Sequence, residues 1–104
     1  MTYELTVIYQ QPEDPDAFDA YYETTHAPLA RQLPGLESYT ATRPDPGRDG
    51  TPASAYVVAA LRFADKVAFG VAMSSEEGQA TAADLPRFAT GGVTMLTGEV
   101  TTYL

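Results

Sequence analysis

From Tyr3 to Tyr9 the chain alternates, with Tyr3, Leu5, Val7 and Tyr9 on one side and Glu4, Thr6 and Ile8 on the other. That is the period of a β-strand, written in good strand formers. Gln11-Pro12-Glu13-Asp14 breaks it. Asp14 is placed to cap a helix that opens on Pro15, with Asp16 beside the positive end of its dipole. Along that helix Phe18, Tyr21, Tyr22, Thr25, His26, Leu29 and Leu33 share one arc at spacings of three and four. Asp16, Asp19, Glu23, Ala27 and Arg31 fall outside the arc. Pro28 has no N–H to donate, so the carbonyl of Thr24 loses its helical partner; a kink or break close to His26 is predicted. Leu33-Pro34-Gly35 ends the unit.

Residues 36–43 read as a second strand, and 44–52, with three prolines and two glycines, as a fairly stiff loop. Ala55 to Phe63 is a third strand, set to form a hairpin with the second. Asp65 caps a short helix over Lys66 to Met73, and Ser74-Ser75-Glu76-Glu77 has the form of a capping box opening another over residues 75–84. Gly91-Gly92 precedes a last strand, Val93 to Tyr103. The order β-α-β-β-α-β predicts one α+β domain over residues 1–104, a ferredoxin-like fold with an antiparallel sheet. Both faces of the strands carry apolar side chains: Ile8 backs Leu5 and Val7, and Tyr56, Val58 and Ala60 back Val57, Ala59 and Leu61. Helices cover one face only, so the other is either a weakly polar solvated surface or, as expected here, the interface of a homodimer.

Composition narrows the function. At 104 residues there is room for one domain with a modest core. Fourteen acidic residues against six basic give a formal net charge of -8, which repels phosphate backbones and anionic membrane surfaces; no nucleic-acid or membrane partner is expected. The absence of cysteine excludes disulfides, thiolate metal sites and a thiol nucleophile. Met1-Thr2-Tyr3-Glu4 lacks the start of a signal peptide, and the longest apolar run, Ala55 to Leu61, is too short for a bilayer; a cytoplasmic protein is expected.

Proton chemistry near neutral pH points to His26, the single histidine. Tyr22, four residues earlier, projects from the same side of the helix, with Tyr21 and Thr25 flanking. A histidine base beside a phenol donor suits proton abstraction next to a carbonyl. A purely structural role, satisfying backbone groups freed by Pro28, is the alternative. One histidine with scattered carboxylates supplies no converging metal ligands, and no phosphate loop, serine elbow or dinucleotide fingerprint is present; no metal or cofactor is expected. A haem held by one axial histidine is a third option with nothing further to favour it. Tyr39 faces either the pocket or the dimer interface. Arg43, Arg48 and Arg62 suit an acidic ligand or, more commonly, surface solubility.

Phe18-x-x-Tyr21-Tyr22-Glu23-Thr24-Thr25-His26-Ala27-Pro28-Leu29, followed by Leu33-Pro34-Gly35-Leu36-x-x-Tyr39, resembles the EthD family. Met73-Ser74-Ser75-Glu76-Glu77-Gly78, Asp84-Leu85-Pro86-Arg87-Phe88 and Gly91-Gly92-Val93 resemble that domain's second half, so the likeness spans essentially the whole chain. It implies a dimeric α+β barrel, two ferredoxin-like sheets facing each other across a two-fold axis. Related barrels include methylmuconolactone isomerases, polyketide cyclases and cofactor-free monooxygenases. By resemblance to the isomerases, Tyr22, His26 and Tyr39 form a polar, catalytic spot in an apolar pocket. Phe18, Tyr21, Thr25 and Leu29 are the neighbouring residues expected to line it. Two functions follow as expectations. One is a cofactor-free isomerase or cyclase acting on a small apolar carbonyl metabolite with His26 as acid or base. The other is a non-catalytic ligand-binding or accessory protein of a catabolic or polyketide pathway.

Overall fold

The alternating segments pair as their periods require. A computed structural model describes residues 1–104. Strands β1 (Tyr3–Tyr9), β2 (Leu36–Thr42), β3 (Val57–Phe63) and β4 (Val93–Glu99) form one sheet in the order β2-β3-β1-β4. Every neighbouring pair is antiparallel, which is the ferredoxin-like arrangement. Register places Leu5 opposite Leu61, Val7 opposite Ala59 and Tyr9 opposite Val57, so the fully buried positions of β1 and β3 share one face. That face carries the core under the helices.

Helices α1 (Pro15–Tyr21) and α2 (Ala27–Ala30) are joined by a π-helical turn, Tyr22–His26. α3 (Lys66–Ser74) and α4 (Glu76–Asp84) follow β3, and a short 3-10 turn, Leu85–Arg87, leads back towards β4. The capping residues behave as their chemistry requires. Asp14 accepts from the Ala17 N–H at 3.1 Å, Asp65 from Ala68 at 2.8 Å and the Ser75 hydroxyl from Gly78 at 3.0 Å. The expected capping box is a single cap instead, because the N-cap is Ser75 and the third helical position is Gly78 rather than a glutamate. Gly78 has its own reason to be there: a Cβ would run into the Ala72 carbonyl and the Met73 backbone where α4 crosses α3. Gly78→Ala should therefore lower stability by about 1–3 kcal/mol, read as the denaturant midpoint.

Some boundaries differ from the expected ones. β3 starts at Val57 rather than Ala55, although the Tyr56 N–H still reaches the Tyr9 carbonyl at 2.7 Å. β4 stops at Glu99 because its partner β1 begins at Tyr3; Tyr103 and Leu104 run on exposed. A bulge between Leu36 and Ser38 bends β2 at its start, after Gly35 turns the chain with φ of +76°. The 44–56 excursion is tied to α1 at its two ends: the Tyr56 hydroxyl donates to Asp19 at 2.9 Å, and Arg43 pairs with the same carboxylate at 2.9 Å.

The second sheet face bears no helix. It presents Thr6, Ile8, Val58 and Ala60, all half-buried, and Leu96 from β4, 55% exposed. At one end Arg62 donates to Glu4 at 2.9 Å. No helix is long and apolar enough to cross a membrane.

Candidate functional site

The π turn decides which side chains face the sheet. Phe18, Tyr22, His26 and Ala30 recur every four residues, and all four are buried. On a regular α-helix a four-residue step overshoots one turn by about 40°, so the set would drift by roughly 120° from first to last. The wider turn removes that drift: the Ala27 N–H bonds the Tyr22 carbonyl, five residues back. Regular spacing resumes where Arg31 N–H bonds the Ala27 carbonyl at 3.0 Å. The kink expected at Pro28 is thus a change of helical register rather than a break, and the Thr24 hydroxyl donates to the Ala20 carbonyl at 2.7 Å within it.

Between this helix, α4 and the sheet lies a partly open cavity with about 460 Å³ of empty space, much of it at the mouth. Sixteen residues line it, thirteen of them hydrophobic. The floor crosses every strand: Tyr39 on β2, Ala59 and Leu61 on β3, Leu5, Val7 and Tyr9 on β1, Met95 on β4. Ala30, Leu33, Met73, Ala82 and Leu85 close the apolar part of the roof. Polar chemistry collects at one place. Tyr22 and Tyr39 share a hydroxyl–hydroxyl hydrogen bond of 2.5 Å, and the Tyr9 hydroxyl lies 3.4 Å from His26 Nε2. On the other edge of the ring, His26 Nδ1 lies 3.0 Å from Asp84 Oδ2. The Tyr21 hydroxyl donates to Asp84 Oδ1 at 2.6 Å. Phe88 packs on the imidazole with ring centroids 4.6 Å apart.

The structure distributes the expected site residues unevenly. His26, Tyr22 and Tyr39 all border the cavity. Phe18, Tyr21, Thr25 and Leu29 do not line it; the register change accounts for Thr25 and Leu29, which lie in and beyond the wide turn, while Phe18 and Tyr21 precede it. Phe18 is buried in the aromatic cluster with Tyr9 and Phe88, Tyr21 bonds Asp84 and stacks on Phe88, Thr25 is exposed and Leu29 half-buried. Tyr9, Asp84 and Phe88 complete the polar end and were outside the expected set. One sign of Asp84 was readable: an acidic residue in the last turn of a helix sits against the negative end of the dipole, an unfavourable place unless something else holds it there. Neither Arg43 nor Arg62 serves the cavity, since both pair with carboxylates elsewhere, and no Lys or Arg lines it.

Burial sets the electrostatics. It lowers the His26 imidazole below its usual range, against the opposing pull of Asp84, so the ring is neutral at pH 7. Burial alone would raise Asp84, but hydrogen bonds from Tyr21 and His26 outweigh it and hold the carboxyl below its ordinary range. Burial pushes Tyr9 and Tyr22 well above the usual phenol range, so both remain protonated donors. The stability consequence has a definite sign. A histidine depressed in the folded state contributes stability that is full above its unfolded value, 6.5, and is lost as pH falls towards the folded value. Thermal midpoints should therefore drop on acidification from about pH 6.5. With a single histidine that first phase belongs to His26, and it should vanish in His26→Asn. The Asp84 contribution follows at lower pH, below 3.8, with the same sign.

The EthD domain model matches residues 10–92. An uncharacterized 11.0 kDa protein from the thcB-thcC intergenic region of Rhodococcus erythropolis is 45% identical over 102 residues, 98% of each chain. The crystal structure of an EthD family protein from Bacillus halodurans superposes with a TM-score of 0.90 at 36% identity, covering 97% of this chain and 100% of that one. SnoaB, a cofactor-independent oxygenase from Streptomyces nogalater, shares the fold at 19% identity and a TM-score of 0.66, covering 99% of this chain and 95% of its own. Further ferredoxin-like matches, from Jannaschia and Bacteroides fragilis, are dimeric proteins.

Proposed function

Because this chain belongs to the EthD family, we propose that it binds a small, mostly apolar carbonyl metabolite between sheet and helices and isomerises or cyclises it without a cofactor. The observation that carries the reading is one neutral imidazole among the phenols of Tyr9, Tyr22 and Tyr39 at the polar end of an otherwise apolar cavity. His26 takes the proton from the carbon beside the carbonyl. The C–H electron pair moves into the carbonyl, and the resulting enolate oxygen accepts from the Tyr22–Tyr39 pair. Return of the proton from His26 to another carbon completes isomerisation; in cyclisation the enolate carbon attacks a second carbonyl of the same molecule, whose π pair moves to its oxygen, and that oxygen takes the proton from His26. The unit is a homodimer joined through the helix-free sheet face, whose Ile8, Val58 and Leu96 need cover.

The test is a series of lactones and ketones incubated with the protein in deuterium oxide and followed by NMR. Deuterium entering beside the carbonyl faster than in buffer is the expected result. A compound that binds and returns undeuterated after long incubation would sink the enzymatic reading. That outcome favours the second one, a non-catalytic binder or carrier of the same class of metabolite. One observation speaks for the binder: every buried side-chain nitrogen and oxygen already has a hydrogen-bond partner within the chain.

A further inference from the structure

We infer that Asp84 is the positioning residue of this site, fixing His26 as a hydrogen-bond acceptor towards the cavity. The pocket therefore takes neutral ligands that bring a weakly acidic O–H or C–H of their own, and turns away carboxylates. The ligand class rests on the cavity being a ligand site, as proposed above; the role of Asp84 does not.

Hydrogen-bond chemistry leaves little choice. An ionised carboxylate only accepts. Asp84 Oδ1 is occupied by the Tyr21 hydroxyl at 2.6 Å and Oδ2 lies 3.0 Å from His26 Nδ1, so Nδ1 carries the hydrogen. A neutral imidazole has one such hydrogen, which makes Nε2 a lone pair. Facing it is the Tyr9 hydroxyl at 3.4 Å, longer than the usual O–H···N contact, so the acceptor is only loosely engaged and open to a second donor. The Asp84 side chain is buried, and it lies 58 residues from His26 in the chain; the pairing is made by the fold and not by the helix.

The charges around the cavity sharpen the ligand. From β1 the ring meets Tyr9, from its own turn Tyr22, from α4 Asp84, and beyond the 3-10 turn Phe88. The only full charge among these is negative. Two cations act from outside the cavity, Arg87 on Asp84 and Arg31 on Tyr39, but neither lines it. A ligand carboxylate would lose its hydration beside Asp84 with no cation in the cavity wall to replace it, whereas a neutral enol or phenol donates to Nε2 and keeps a π-face for the apolar floor. Its oxygen, or a neighbouring carbonyl, can accept from the Tyr22–Tyr39 hydroxyls.

The experiment uses untagged protein labelled with ¹⁵N-histidine, in which His26 gives the only imidazole signals, and two probes of matched shape, 2-naphthol and 2-naphthoate. In the free protein at neutral pH, Nδ1 is expected as the protonated nitrogen and Nε2 as the bare one. Tyr21→Phe should keep that tautomer and Asp84→Asn should lose it, with circular dichroism as the check on folding. The naphthol should shift the Nε2 signal and bind at least about ten-fold tighter than the naphthoate, and its affinity should fall at least about ten-fold in Asp84→Asn. A free protein with hydrogen on Nε2 overturns the assignment of Asp84. Naphthoate binding as tightly as naphthol overturns the ligand class. Binding of neither probe, with the tautomer as stated, overturns the pocket reading and the ligand class with it, while Asp84 keeps its role.

Discussion

His26→Asn is expected to cut carbonyl-adjacent proton exchange by about 10²- to 10⁴-fold, the range usual for loss of a general base, while the protein stays folded. Asparagine is the informative replacement because its amide N–H lies where the imidazole Nδ1–H was and can still donate to Asp84. Alanine would instead leave the Asp84 carboxylate buried without its partner from His26, mixing a stability loss into the rate. Thermal unfolding at pH 8, where His26 is neutral in both folded and unfolded chains, supplies the control. A variant that exchanges protons as fast as the parent removes His26 from the chemistry and leaves it the role of holding α4 against the π turn.

The second large effect belongs to the helix-free sheet face. Val58→Asp should convert the dimer to monomers at micromolar concentration, raising the dissociation constant by at least about 100-fold. Val58 stands on an inner strand, across from Ile8 on one side and Thr42 on the other, towards one end of the open face. A two-fold interface would bury each introduced carboxylate and bring its symmetry mate into the same patch, and like charges brought together in this way cost several kcal/mol. Sedimentation velocity reads the outcome directly. A variant that sediments as the parent does would place the dimer contact elsewhere, and a parent that is monomeric would remove it altogether.

Much of the architecture was legible because it is local. Alternation in β1 and β3, the caps at Asp14, Asp65 and Ser75, and the turn at Gly35 each follow from a few neighbouring residues. The site was legible only in part. Tyr22 and His26 are four apart on one helix, so their approach could be read from spacing. The partners of that pair could not: Tyr9 comes from 17 residues before His26 and Asp84 from 58 after it, and only the folded sheet and the returning α4 bring them in. Thr25 and Leu29 were placed on the inner face because a 3.6-residue period was carried through Tyr22–His26, where the chain changes to a wider turn.

That turn has a consequence for how the sequence can change length. Thr24 and Thr25 are exposed and polar, and losing one of them would look as harmless as a trimmed surface loop. In the language of insertions and deletions they are instead the extra residue that the wide turn accommodates. Removing either would return the segment to regular helix and swing everything beyond it by about 100°, carrying His26 off the cavity or Ala30 and Leu33 off the core. Alignments of relatives across this stretch are therefore best anchored on the Tyr-x-x-x-His and Pro positions, Tyr22, His26 and Pro28 in this chain. A gap at Thr24 or Thr25 would mark a relative whose pocket is built on a different histidine or on none.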